Sequence, residues 1–277
     1  MGIIDDIAGD WQAALAALAW QVDLGIDQSI CDSPVNHYDL PAIPVVKAAP
    51  GVAATVPKGP TVVLADSAAG DPVAAARDLA ARAGTLAALR AALAGYDHCE
   101  IKRGARNLVF ADGNAAARVL VLGEAPGRDE DMEGRPFVGL AGQLLDRMFG
   151  AIGLSRHNPD PETALYITNV MPWRPPQNRD PSPEEIAMMR PFVERHIALA
   201  DPQVIVIVGN TPCQCLLGTK GITKLRGVWA TALGKPVLPM FHPAYLLRQP
   251  SLKREAWADL LSLQSRLRAM KGATNGD

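Results

Sequence analysis

Long apolar runs are missing from this 277-residue chain. No stretch approaches the roughly 20 consecutive apolar residues that span a bilayer, so no membrane-crossing helix is expected. The alanine-rich WQAALAALAW (11–20) has aspartates on both sides and no basic segment before it. That argues against a secretory signal and for a cytoplasmic protein. Cysteine is scarce as well: Cys31, Cys99, Cys213 and Cys215 are too few and too unevenly spaced for a disulfide framework. None forms a CxxC pair, and Cys213–Cys215 is one residue short of a metal knuckle, which leaves them as ordinary buried thiols. Net charge is nearly absent too, at −2, although that sum hides an uneven distribution.

Residues 1–60 hold seven Asp against two Lys, which is too acidic for a DNA-binding tail. From Thr219 to Arg254 there are seven Lys and Arg and no acid. Contacts to a polyanion depend on the local field, so a nearly neutral protein can still bind one on a basic flank. A solvated basic face would read the same way.

With 48% hydrophobic and 20% charged residues, the chain can bury one good core with a small appendage. Residues 5–24 have the spacing of an amphipathic helix, and Ser33–Pro60 is a Pro/Ala/Val-rich stretch without period, which reads as a linker. A second, alanine-rich helix is expected over 72–94. The domain reading is therefore an N-terminal helical extension with a Pro/Ala-rich linker over 1–94 and a second, larger domain over 95–277.

In that second part, apolar runs at 118–123, 165–170, 204–209 and 237–241 alternate with helical patterns at 140–153, 182–200 and 253–270. Ser182 and Glu185 form a capping-box pattern with Pro183 at the first helical position. Short apolar strands separated by helices predict an α/β fold, a three-layer sandwich around a mainly parallel four-stranded sheet. Ligands of such sheets bind beyond the carboxyl ends of the strands. The unusual polar stretches all fall there.

The first of them, GEAPGRDEDMEGRPFVG (123–139), is neither a P-loop nor a dinucleotide fingerprint. It carries Glu124, Asp129, Glu130, Asp131 and Glu133 against Arg128 and Arg135, so the group it holds should be uncharged. Gly123 and Gly127 allow close backbone approach, and Pro126 stiffens the turn. Phe137 could present an aromatic face or belong to the core. Asn169 ends a strand, and its planar amide matches a ring edge carrying an N–H beside a carbonyl, as uracil's does. It could equally cap the next loop. Arg174–Arg179 (RPPQNR) could form a ledge for a sugar–phosphate backbone, and His242 follows the fourth strand in FHPAYLLR.

Taken in order, GEAPGRDEDMEGRPFVGLAGQLLD, YITNVMPWRPPQNR and FHPAYLLRQP resemble the uracil-DNA glycosylases of family 4, over about residues 96–267. The resemblance implies a DNA-repair enzyme that flips uracil out of the strand and excises it. Phe137 would stack on the base, and Asn169 would read its N3/O4 edge. Gly123, Glu124, Ala125 and Gly127 would line the pocket. His242 would donate to O2 of the departing base, while Glu130 and Asn178 would hold the water or the strained nucleotide. Leu246 would wedge into the duplex; Arg174, Arg179, Arg226, Arg248 and Lys253 would meet phosphates. Uracil-containing DNA is then the expected partner of a monomer.

Two departures from the family accompany the resemblance. Its iron–sulfur cluster takes four cysteine ligands, whose places fall at Tyr96, Cys99, Trp173 and Met189. One thiol cannot hold such a cluster, so no cofactor and no metal are expected, with apolar packing in its place. Other uracil-DNA glycosylases block the thymine methyl with a tyrosine where this chain has Gly127, so discrimination would fall to Glu130 or the Phe137 loop. Rival readings are a uracil-DNA binder trapped on its product, an enzyme of free nucleotides, and a vestigial interaction protein. The short RPPQNR loop, the lack of a phosphate cradle and the intact loops weigh against them in turn.

Overall fold

The structure is a computed structural model that describes residues 71–274, with the side chains of 71–271. The helix expected over 5–24 and the linker over 33–60 lie outside the described residues. The described chain begins with helices α1 (Pro72–Arg82) and α2 (Leu86–Ala94). One continuous helix was expected over 72–94. It breaks because Ala83 is extended and Thr85 caps a new helix, its hydroxyl accepting the Ala88 N–H at 3.1 Å.

Strands β1 (Asp112–Gly113), β2 (Val119–Gly123), β3 (Leu165–Asn169), β4 (Val204–Val208), β5 (Ala230–Ala232) and β6 (Lys235–Met240) form one sheet in the order β1-β3-β2-β4-β6-β5. The four expected strands are its parallel centre. The sheet has six strands rather than four because β1 and β5 add short antiparallel edges. Neither edge strand has the continuous apolar run that marks a fully buried strand.

The intervening helices are α3 (Arg128–Glu133), α4 (Leu140–Gly150), α5 (Pro183–Ala200), α6 (Asn210–Leu217), α7 (Ile222–Leu225), α8 (Pro243–Arg248) and α9 (Lys253–Thr274). At the start of α5, Ser182 accepts the Glu185 N–H while Glu185 accepts the Ser182 N–H, so the capping box is formed.

Alternation along the central strands makes two cores. Leu120, Leu122, Ile205 and Ile207 share a core with α1, α2, α5 and α6, whereas Val119, Val121, Val204 and Val206 share one with α4 and α9. Each such side chain stabilises the fold by about 1.5–3 kcal/mol when fully buried. Ala76, Ala80, Leu89 and Leu93 share the first core with the sheet, so α1 and α2 are part of the sandwich's outer layer. The parallel strands β2, β3, β4 and β6 end at one rim, where Gly123, Asn169, Val208 and Met240 lead into the polar loops.

Candidate active site

Gly123 and Asn169 are register partners at the ends of β2 and β3. Their loops stay paired past the strands, Val170 N–H donating to Gly123 at 3.0 Å and Met171 N–H to Glu124 at 2.9 Å. A Cβ on Gly123 would stand 2.3 Å from Asn169 Oδ1 and 2.6 Å from Phe137 Cε2. Only glycine fits between them. Asn169 is buried, and its Oδ1 has no hydrogen-bond partner. Such an atom costs about 1–3 kcal/mol unless something fills it.

Phe137 completes the cluster. Its ring stacks on His242 with centroids 5.5 Å apart and planes 28° from parallel, and its backbone is left-handed at φ +55°. His242 follows β6 and caps α8, its Nδ1 accepting the Ala244 N–H at 3.1 Å. Burial, reinforced by the nearby Arg248 charge, pushes its pKa down to about 4. The ring is therefore neutral at physiological pH. With Nδ1 occupied as an acceptor, the proton sits on Nε2, a directed donor.

The two glutamates behave differently. Half-buried Glu124 accepts the Thr211 hydroxyl at 2.7 Å through Oε2, and burial raises its pKa, helped by Asp180. Glu130 uses both oxygens on backbone, accepting Gly127 N–H at 3.1 Å and Gly139 N–H at 3.3 Å. It ties the GEAPG turn to the Phe137 loop. A Cβ on Gly127 would come within 2.7 Å of Glu130 Oε2, so that carboxylate fills the space a larger residue at 127 would need. Ala125 is half-buried on the same turn.

The RPPQNR segment is a tight turn with Gln177 and Asn178 both left-handed, at φ +54°. Asn178 is exposed and accepts from Arg174 Nε at 2.8 Å through Oδ1.

Among the expected DNA contacts, three are engaged within the fold. Leu246 is fully buried, since its turn of α8 packs into the core; its neighbour Leu247 is 40% exposed. Arg179 grips both carboxylate oxygens of Glu185, at 2.8 and 2.6 Å. Arg226 is committed to buried Asp259 and lies over the Phe241 ring. Arg226 is thereby tied to α9, whereas the Arg179 side chain stays 45% exposed beside its partner. Arg248 and Lys253 are exposed.

At the expected cluster positions, Tyr96, Cys99, Trp173 and Met189 are all buried in one apolar core. Tyr96 donates to the Pro72 carbonyl at 2.9 Å and packs edge-on against Phe192. One thiol, a phenol, an indole and a thioether do not make an iron–sulfur ligand set. Cys213 and Cys215 lie on α6, buried, with pKa values pushed up to about 12 by burial.

Thr211 was not anticipated from sequence. Its signal is faint: a hydroxyl one residue into the helix that follows an apolar strand.

Comparison with known proteins decides the family. The sequence model described as "Uracil DNA glycosylase superfamily" matches residues 110–261. The chain belongs to the uracil DNA glycosylase superfamily. Its relatives include the Type-4 uracil-DNA glycosylase of Thermotoga maritima, 40% identical over 172 residues, 60% of this chain and 86% of that protein. The Type-4 enzyme of Archaeoglobus fulgidus is 37% identical over 172 residues, 58% of this chain and 82% of that protein. That of Saccharolobus solfataricus is 35% identical over 179 residues, 61% and 80% respectively. In this superfamily member, the matched span contains every loop of the rim.

Proposed function

We propose that this chain excises uracil from DNA by hydrolysing the N-glycosidic bond, leaving an abasic site. The observation that carries the reading is the partnerless, buried Oδ1 of Asn169, beside the Phe137 ring and close to neutral His242. Uracil N3–H would donate to that oxygen and its O4 would accept from Nδ2, with the ring against Phe137. As the C1′–N1 bond breaks, its electrons move onto the base, and the His242 Nε2–H donates to O2 where that charge gathers. The sugar becomes oxocarbenium-like, and water adds at C1′.

Glu124, held by Thr211, is the carboxylate available to favour that cation. The exposed amide of Asn178 is suited to hold the water. Glu130 serves as a wall against the thymine methyl and as a loop tie. Arg248 and Lys253 would meet phosphates, with Arg174 orienting Asn178. The single thiol among the four cluster positions supports an enzyme that works without an iron–sulfur centre. No helix in the described residues is long and apolar enough to cross a membrane.

The test is incubation with a uracil-containing oligonucleotide followed by alkali. Strand breaks confined to uracil are expected, with no protein–DNA adduct surviving detergent. Intact strands, or a stable adduct in place of breaks, would overturn the proposal.

A further inference from the structure

A buried cation that no catalytic role requires lies behind the aromatic wall of the site. Arg156, in the loop between α4 and β3, has a side chain only 3% exposed. Its Nη1 donates to the Pro136 carbonyl at 2.9 Å and its Nη2 to the Phe137 carbonyl at 3.0 Å. Nε donates to Asp146 of α4 at 2.8 Å, and Nη1 also to Asp112 of β1 at 3.1 Å. Two carboxylates therefore balance the buried charge, and the outer half of the fork is free to grip two consecutive peptide carbonyls.

Those carbonyls belong to the strained point of the loop. Phe137 is bulky and left-handed, a conformation that persists only where the surroundings over-determine it. A Cβ on Gly142 would sit 1.7 Å from the Phe137 carbonyl oxygen, so the first turn of α4 presses directly on the same peptide. The peptide is held by both. Its consequence is the ring position against Gly123 and His242.

We infer that Arg156 is the positioning residue for the uracil-stacking ring: it fixes the Phe137 peptide, and through it the aromatic wall, without touching substrate. This rests on Phe137 being that wall, as proposed above. Lysine at 156 would keep the charge but could not span both carbonyls and both carboxylates.

The test is a double-mutant cycle read on uracil excision and on inhibition by free uracil, with melting temperatures recorded alongside. Arg156→Lys should lower kcat/KM by about 30-fold, the scale of a displaced group in an active site. It should weaken inhibition by free uracil to a similar degree. Added to Phe137→Ala, it should change excision less than about twofold, because the ring it positions is gone. Asp146→Asn, a half-exposed partner that keeps Arg156 in place, should give a smaller loss with the same non-additivity and serves if Arg156→Lys does not fold. If the Arg156→Lys loss persists in full on Phe137→Ala, Arg156 is merely structural and the inference fails. If Phe137→Ala alone leaves excision and uracil inhibition unchanged, the stacking role itself is wrong.

Discussion

Two regions of this molecule have opposite physical character. At the rim, Asn169 keeps a buried oxygen without a partner, Phe137 keeps a strained backbone, and His242 is held neutral. Beneath α1 and α2, Tyr96, Cys99, Trp173 and Met189 are closely packed, and the Tyr96 hydroxyl has its carbonyl. The first region carries a buried acceptor that a ligand donor would satisfy. The second is filled by apolar contacts. An unmet polar atom leaves a hydrogen bond for a ligand to make, and an apolar core leaves none.

The contrast predicts separable mutational effects. At the rim, His242→Ala and Asn169→Ala should each lower excision by about 10²–10³-fold, the usual loss for one preorganised donor, with melting little changed. In the packed region Met189→Ala should destabilise the fold by about 2–5 kcal/mol, while excision per folded molecule stays at the wild-type value. Chemical denaturation and single-turnover assays on the same samples separate the two. If Met189→Ala lowered turnover with stability intact, the packed region would retain a catalytic role.

Acid should expose a third difference. His242 and buried His196, which pairs with the Tyr166 hydroxyl at 2.8 Å, both have pKa values lowered by burial to about 4, below the ordinary value near 6.5. The unfolded chain then binds more protons between pH 6.5 and 4. Stability is fully present above about 6.5 and is lost as pH falls toward 4. Replacing His196 by Gln should flatten part of that slope in a pH series of melting curves. An unchanged slope would show that His196 is not held neutral in the fold.

The smallest effect belongs to the basic flank. Arg248→Ala or Lys253→Ala should weaken DNA binding uniformly across sequences and reduce the salt-dependence slope by about one unit each. Arg226→Ala should instead lower stability, since it strands the Asp259 carboxylate.

The sequence was most legible where one face or one strand decides the structure. The continuous apolar runs located β2, β3, β4 and β6, and the Ser182–Glu185 pattern located the start of α5. The short edge strands β1 and β5 carry no such run and stayed invisible. At the site, Gly123, Phe137, Asn169 and His242 were readable because motif order and strand ends place them at one rim. The long-range pairings were not. That Arg179 binds Glu185, that Arg226 binds Asp259 and that Leu246 turns inward depend on which helix packs where, and a run of basic residues looks the same whether its charges are free or spent.

Excision of uracil by Asn169→Ala, compared with wild type on one oligonucleotide, asks most directly whether the vacant amide edge at the end of β3 is what recognises the base. Wild-type protein should yield alkali-sensitive breaks at uracil, and the variant, melting at the same temperature, at least about 100-fold fewer per unit time. Equal rates from the two proteins would contradict the account.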